Sequence, residues 1–186
     1  MHCSMRLSEG TERMQQNSAS QVPWHENDAL FRSLQRTGRG YEGYVAALLI
    51  GAGLGVEVQP MQTRPEYTDR EAYRDYRDLI VVTPKGKRAA IEVKSRSLSF
   101  GCADTFPYDD IFVDTKKIVD AKGPPAALVC VSQKTLATVV VPGSTKPLWG
   151  TKISRDRLRG IKSEWYVCPK KHLKTLEELT LFLLAI

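Results

Sequence analysis

Long apolar runs, paired cysteines and clustered histidines are all missing from this chain of 186 residues. No stretch reaches the roughly 18 apolar residues that a spanning helix needs. The longest, Tyr44 to Val56 and Leu179 to Ile186, are short or broken by glycine, so a soluble protein without a membrane partner is expected. Cys3, Cys102, Cys130 and Cys168 are scattered with no C-x-x-C spacing, which argues against a disulfide framework and against zinc. His2, His25 and His172 stand equally apart. The N-terminus lacks the basic and apolar regions of a secretion signal. The expected compartment is therefore the cytoplasm, or the host cytoplasm if the chain is viral. No internal repeat is visible, which excludes a solenoid.

What is present describes one ordinary domain. Hydrophobic residues make up 42% and charged residues 26%, so the chain as a whole is neither disordered nor fibrous. The formal net charge is +6, which favours nucleic acid as a partner. The surplus is local: residues 146 to 174 hold nine Lys and Arg, including Arg155, Arg157 and Arg159, against only Asp156 and Glu164. Such a tract would bind phosphates without reading sequence.

Residues 1 to 22 are polar and aperiodic, so a disordered tail is expected there, with Met5 and Met14 as alternative starts, and a single domain over 23 to 186. A helix around Asp28 to Gln35, a turn at Thr37-Gly38-Arg39-Gly40 and a second helix from Tyr41 follow from the spacing of Tyr41, Tyr44, Val45, Leu48, Leu49 and Ala52. The glycines Gly51, Gly53 and Gly55 end it, and Val56-Glu57-Val58 begins a strand. Residues 60 to 77 read as a polar excursion. Leu79 to Val82, the turn Pro84-Lys85-Gly86-Lys87, and Ala89 to Lys94 read as a β-hairpin. A loop to Pro107, a mixed segment Tyr108 to Ala121 with a short helix from Thr115, strands Ala126 to Ser132 and Ala137 to Val141, and a helix Leu173 to Leu184 complete the chain. This order predicts an α/β domain: a central mixed β-sheet flanked by helices, with an α-β-β-β-α-β core over about 38 to 132 and a basic extension over 146 to 186.

One strand contains a contradiction. Glu92 and Lys94 lie two residues apart and share a face, opposite Ile91 and Val93. Two charges on one face of an apolar strand are costly to bury unless paired or bound to an ion. Asp78, just before Leu79, falls opposite Glu92 if the paired residue numbers total about 170. That requires a three- or five-residue turn or a bulge, since a one-residue slip would send the two carboxylates to opposite faces. Two carboxylates so close suit a hard divalent ion, Mg²⁺ (or Mn²⁺). Lys94 would then stand where an ammonium can polarise water at the ion or stabilise charge on a phosphoryl oxygen.

The pattern Asp78 … Glu92-Val93-Lys94, with the two carboxylates 14 positions apart, resembles the PD-(D/E)XK nuclease superfamily, which includes Holliday junction resolvases and small phage nucleases. Gly40-Tyr41-Glu42 before the helix, Gly53 to Val58 after it, and the run Glu92 to Arg96 look like the resolvase branch. The resemblance implies a restriction-endonuclease-like core and Mg²⁺-dependent hydrolysis of DNA. In this chain it implies Glu42, Asp78, Glu92 and the Val93 carbonyl as metal ligands, and Lys94 as the assisting cation. Arg39, Ser95, Arg96, Lys116 and Lys117 would face the nucleic acid, with Arg155, Arg157 and Arg159 from the basic tract. Arg77 departs from the family's proline, and Asp75 competes with Asp78 as ligand. Trp149, Trp165 and Tyr166 could stack on splayed bases, although aromatics beside strands more often serve the core. An endonuclease for branched DNA is the leading reading, compatible with a homodimer. An exonuclease, a non-catalytic nucleic-acid-binding protein and a viral antagonist of a host enzyme are the rivals.

Overall fold

The computed structural model describes residues 28–60, 77–155 and 162–186. The expected excursion, with Asp75, and the expected tail lie outside the described residues, as do Arg157 and Arg159.

The first element departs from expectation. Helix α1 runs unbroken from Asp28 to Gly51, straight through the anticipated turn at Thr37 to Gly40. Glycine inside a helix costs about 1 kcal/mol relative to alanine, which penalises a helix without forbidding it. Here local bonds hold the stretch helical: the Thr37 hydroxyl donates back to the Ser33 carbonyl, and Arg39 pairs with Glu42 one turn on. The end of α1 is as read. Gly53 takes φ +91°, its N–H meets the Ile50 carbonyl, and Leu54 N–H reaches back to Leu49. This pair of bonds is a Schellman cap, and the accompanying apolar contact is supplied by Leu49 and Leu54, both buried.

The chain then enters a five-stranded mixed sheet in the order β1-β2-β3-β5-β6, made of β1 (Gly55–Val58), β2 (Leu79–Val82), β3 (Arg88–Arg96), β5 (Ala127–Ser132) and β6 (Thr138–Pro142). Only β3 and β5 run parallel. Strand β5 is buried at all six positions, as a strand covered on both faces must be, and its sequence is accordingly almost all apolar. On one face lie α1 and helix α3 (Leu176–Ala185), with Val45, Leu49, Leu179 and Leu183 packed on Leu79, Val81, Ile91 and Val129. Thr175 and Glu178 start α3 with a reciprocal capping box.

The other face carries something the sequence reading did not anticipate. A three-stranded antiparallel sheet, β4-β8-β7, is built from β4 (Asp110–Thr115), β8 (Lys162–Pro169) and β7 (Gly150–Arg155). Ile111, Val113 and Cys168 pack beneath it against Leu128, Cys130, Val139 and Val141. The basic stretch is thus a hairpin integrated into the fold rather than an extension. The mixed segment after Tyr108 splits into β4 and the short helix α2 (Lys116–Lys122). Among the described residues, no helix is long and apolar enough to cross a membrane.

Candidate active site

The β2–β3 hairpin sets the register on which the site depends. Leu79 pairs with Ile91, Ile80 with Ala90, Val81 with Ala89 and Val82 with Arg88, so the paired numbers total 170, the value that sets Asp78 opposite Glu92. The turn that fixes this register is Pro84-Lys85-Gly86, closed by Thr83 N–H to the Lys87 carbonyl and Gly86 N–H to the Thr83 carbonyl. Gly86 adopts φ +77°, the left-handed conformation that a three-residue hairpin loop needs at its last position.

Asp78 therefore stands at the mouth of β2, just past the last paired residue. Its Oδ2 accepts the Val93 N–H at 2.6 Å, so the side chain takes over the bond that another residue of β2 would have made. Burial pushes its carboxyl up to about 7, with the negative charges of Glu92 and, less strongly, Glu42 adding to the shift. The Val93 N–H and Lys94 pull the other way without prevailing. Glu92 is raised by burial as well, against the attraction of Lys94, Arg77 and Lys122. It lines a cleft of about 180 Å³ whose polar walls are Arg77, Asp114 and Lys122. The two carboxylates are thus desolvated and mutually repelling, the electrostatic condition that a bound cation relieves.

Lys94 is held by two acceptors. Its Nζ lies 2.6 Å from Asp114 Oδ2 and 3.1 Å from the Val113 carbonyl, and both side chains of the ion pair are only about one-fifth exposed, 22% and 21%. A bulge makes this possible. Pairing of β4 with β8 runs Asp110–Pro169, Ile111–Cys168 and Phe112–Val167, then slips by one so that Thr115 meets Trp165. The extra residue in β4 re-aims the chain at Val113 and Asp114, a use of bulges common beside active sites. Asp114 is the candidate-site residue that sequence reasoning missed. The cap position is Thr115, and Asp114 Oδ1 accepts the Thr115 N–H. The signal was present in the alternation of Ile111 and Val113, which marks a strand and puts Asp114 on the opposite face with Phe112.

The other anticipated residues divide. Glu42 is close enough for Asp78 to feel its charge, but its Oε2 is engaged by Arg39 at 2.6 Å. Arg39 is thereby occupied within the protein. Arg96 follows Lys94 on the same face and donates to the Phe112 carbonyl at 2.8 Å. Ser95 is turned to the opposite face by strand alternation and accepts from Gln133 Nε2. Lys116 is directed toward β8, bonded to Asp120 and 5.9 Å from the centre of the Tyr166 ring, so the expected reach from α2 to the site is not made by this residue. Lys117 is exposed on α2, and Arg155 ends β7 on the surface. Trp149 and Tyr166 form an edge contact with each other, as core-flanking aromatics do. Among the described residues, no three carboxylate, histidine or cysteine side chains stand close enough together to hold one ion. Glu42, the third carboxylate expected there, is paired with Arg39.

No family model matches the chain, and no curated protein does. Among solved structures it is similar to D212, a nuclease from a fusselovirus, at 15% identity over 85% of this chain and 93% of that one, with a TM-score of 0.42. That is a loose likeness of outline, and the reading of the site rests on its own residues and their geometry.

Proposed function

We propose that the protein is a metal-dependent nuclease of the PD-(D/E)XK type that hydrolyses phosphodiester bonds of DNA as an endonuclease, with a preference for branched structures. The observation that carries this reading is the Asp78–Glu92 pair: two half-buried carboxylates, set opposite each other by the hairpin register, each raised by desolvation, beside a lysine fixed by Asp114. A structural role would favour neutral side chains at both positions, because desolvated like charges destabilise the fold.

The donor set fits Mg²⁺ or Mn²⁺. Hard oxygen ligands, one or two carboxylates and retained water are what such ions take. Asp78, Glu92 and the Val93 carbonyl would hold the ion, with Glu42 joining once released from Arg39. When bound, the ion supplies a Lewis acid that activates water and draws charge from the phosphoryl oxygens. The chain's own residues do the rest. Lys94, restrained by Asp114 and the Val113 carbonyl, presents its ammonium to the charge that builds on a phosphoryl oxygen, already oriented when the substrate arrives. Arg96 continues the cationic track along the same strand face, and the basic hairpin β7–β8 would meet neighbouring phosphates. Water attacking in line with the departing 3′ oxygen would leave a 5′ phosphate.

The test is incubation of supercoiled plasmid, linear duplex, single-stranded and four-way-junction DNA with Mg²⁺ or Mn²⁺, against the same reactions in chelator. Nicked and linear plasmid is expected only with the ion, and is lost in Asp78→Asn, Glu92→Gln and Lys94→Ala. A closed circle offers an exonuclease no end, so plasmid cleavage also separates the two modes. Every DNA left intact with either ion sinks the reading.

A further inference from the structure

Beyond Lys94 the track along β3 opens into a second concavity, of about 650 Å³, which lies within the size range of small-ligand sites. Its walls include Phe106, Tyr108, Phe112 and Trp165, with Arg96, Lys152 and Ser154 among the polar groups. Phe112 and Trp165 meet edge to face with centroids 6.0 Å apart, and Phe106 and Tyr108 do so at 6.2 Å. Tyr108 is 58% exposed, so one flat ring stands open to solvent at the rim.

Three features argue against a purely structural role for this aromatic wall. Trp165 Nε1 is buried without a hydrogen-bond partner among the described residues. Such a donor costs on the order of 1–3 kcal/mol, a penalty that phenylalanine, as at position 112, would avoid. Next, the charges at the groove are balanced: Lys152 pairs with Asp110 at 2.6 Å, Arg96 is bonded to a backbone carbonyl, and Asp109 lines the same wall. A groove without surplus positive charge is poorly suited to the phosphate chain and well suited to a base, whose π-face stacks and whose edge hydrogen-bonds. Finally, the groove lies next to the site along β3. Arg96 lines it and is two residues from Lys94 on one strand face, about 6.6 Å at the usual strand rise, roughly one extended nucleotide away.

From this we infer that the groove between β3, β4 and β8 is a base-stacking subsite. It receives one unpaired nucleobase of the strand whose phosphodiester lies at Asp78, Glu92 and Lys94. The inference rests on the nuclease reading and narrows its substrate to DNA with a single-stranded element, such as a flap, gap or open junction. A fully paired duplex keeps its bases stacked and cannot fill the groove without first unstacking one.

The experiment measures binding of a single-stranded oligonucleotide, a flapped duplex and a blunt duplex to the full chain, in chelator so that no cleavage intervenes. Proteins compared are wild type, Tyr108→Ala, Trp165→Phe and Trp165→Ala. Base–aromatic stacking is worth about 1–3 kcal/mol per base, so Tyr108→Ala and Trp165→Ala should weaken single-strand and flap binding roughly 5- to 150-fold. Blunt-duplex binding should stay unchanged, and Trp165→Phe, which keeps a ring, should retain most of the affinity. Tyr108 is exposed, so its variant tests the subsite even if Trp165→Ala does not fold. Equal losses on duplex and single strand, or no loss on either, overturn the subsite. If the groove variants bind and cut every substrate as wild type does, the subsite falls while the nuclease reading stands. If wild type binds no DNA, both fall together.

Discussion

Replacing Asp78 by asparagine should stabilise the ion-free protein while abolishing its proposed activity. Asp78 is raised from an ordinary carboxyl near 3.8 to about 7, chiefly by burial and then by the charge of Glu92. In the unfolded chain the group titrates near 4. Between these values the folded state holds the extra proton, so stability falls as pH rises from about 4 to about 7 and is flat outside that window. At 1.36 kcal/mol per pKa unit, a shift of about three units sets an upper limit of roughly 4 kcal/mol for the penalty above pH 7. Asparagine carries no charge and keeps an Oδ1 that can accept the Val93 N–H, so it removes the penalty and spares the bond. For a chain this long, each kcal/mol moves Tm by roughly 2–4 °C. Thermal unfolding followed by circular dichroism in chelator should therefore show Asp78→Asn melting above wild type by up to about 16 °C at pH 8, and by little at pH 4. Millimolar Mg²⁺ should raise the wild-type Tm, by an amount equivalent to about 2.7 kcal/mol at 100 times the dissociation constant. It should leave the variant nearly unmoved. A wild-type Tm that does not fall between pH 4 and 8, or a variant no more stable than wild type at pH 8, would refute the reasoning.

Other substitutions probe separate parts of the structure. Asp114→Asn should lower the single-turnover rate with little change in DNA affinity, because it loosens Lys94 without disturbing ground-state binding; a wild-type rate would remove Asp114 from the positioning of that ammonium. Neutralising Arg155, Arg157 and Arg159 together should shrink the slope of log affinity against log salt by about 0.9 for each phosphate that the protein no longer neutralises, and an unchanged slope would place the basic hairpin away from the substrate. Gly86→Ala should destabilise by about 1–2 kcal/mol in chemical denaturation, since its φ of +77° is unfavourable for any residue with a Cβ. Gly143→Ala should do more harm, because its Cβ would meet the Pro125 carbonyl oxygen at 1.9 Å, and backbone on both sides has no rotamer with which to yield; an unchanged midpoint would show that the segment shifts freely.

The parts of the molecule legible in the sequence were those governed by local signals. An apolar run announced β2, alternation announced β3 and a second apolar run announced β5, while the register between β2 and β3 followed only on condition of the turn's length. The unbroken helix α1 was not legible, because two glycines in three residues look like a turn whenever the ion pair and back-bond that hold the helix go unseen. The second sheet was hidden for another reason. Its strands β7 and β8 are dense in lysine, arginine and polar residues on their exposed positions, so the charge pattern masked the pairing pattern. Asp114 was missed because its partner lies 20 residues earlier on another sheet, and only a bulge brings the two together. The placement of Asp78, Glu92 and Lys94 near one another could be read because one hairpin holds all three, and a hairpin is the longest contact that sequence alone specifies well.

The outer edge of β4 meets no neighbouring strand among the described residues. Instead, Arg96 and Lys94 occupy the carbonyls of Phe112 and Val113. Open strand edges invite pairing between molecules, and proteins commonly blunt them with cationic side chains. The two cations of the proposed substrate track would therefore also keep that edge from recruiting a strand of another chain. Because the bonds to these carbonyls also hold the two cations in place, orientation of the proposed site and protection of the edge rest on the same contacts. Removing both cations should leave a protein that still folds its two cores yet self-associates through β4, visible as concentration-dependent mass in light scattering. Replacing either one with arginine or lysine should keep the molecule apart.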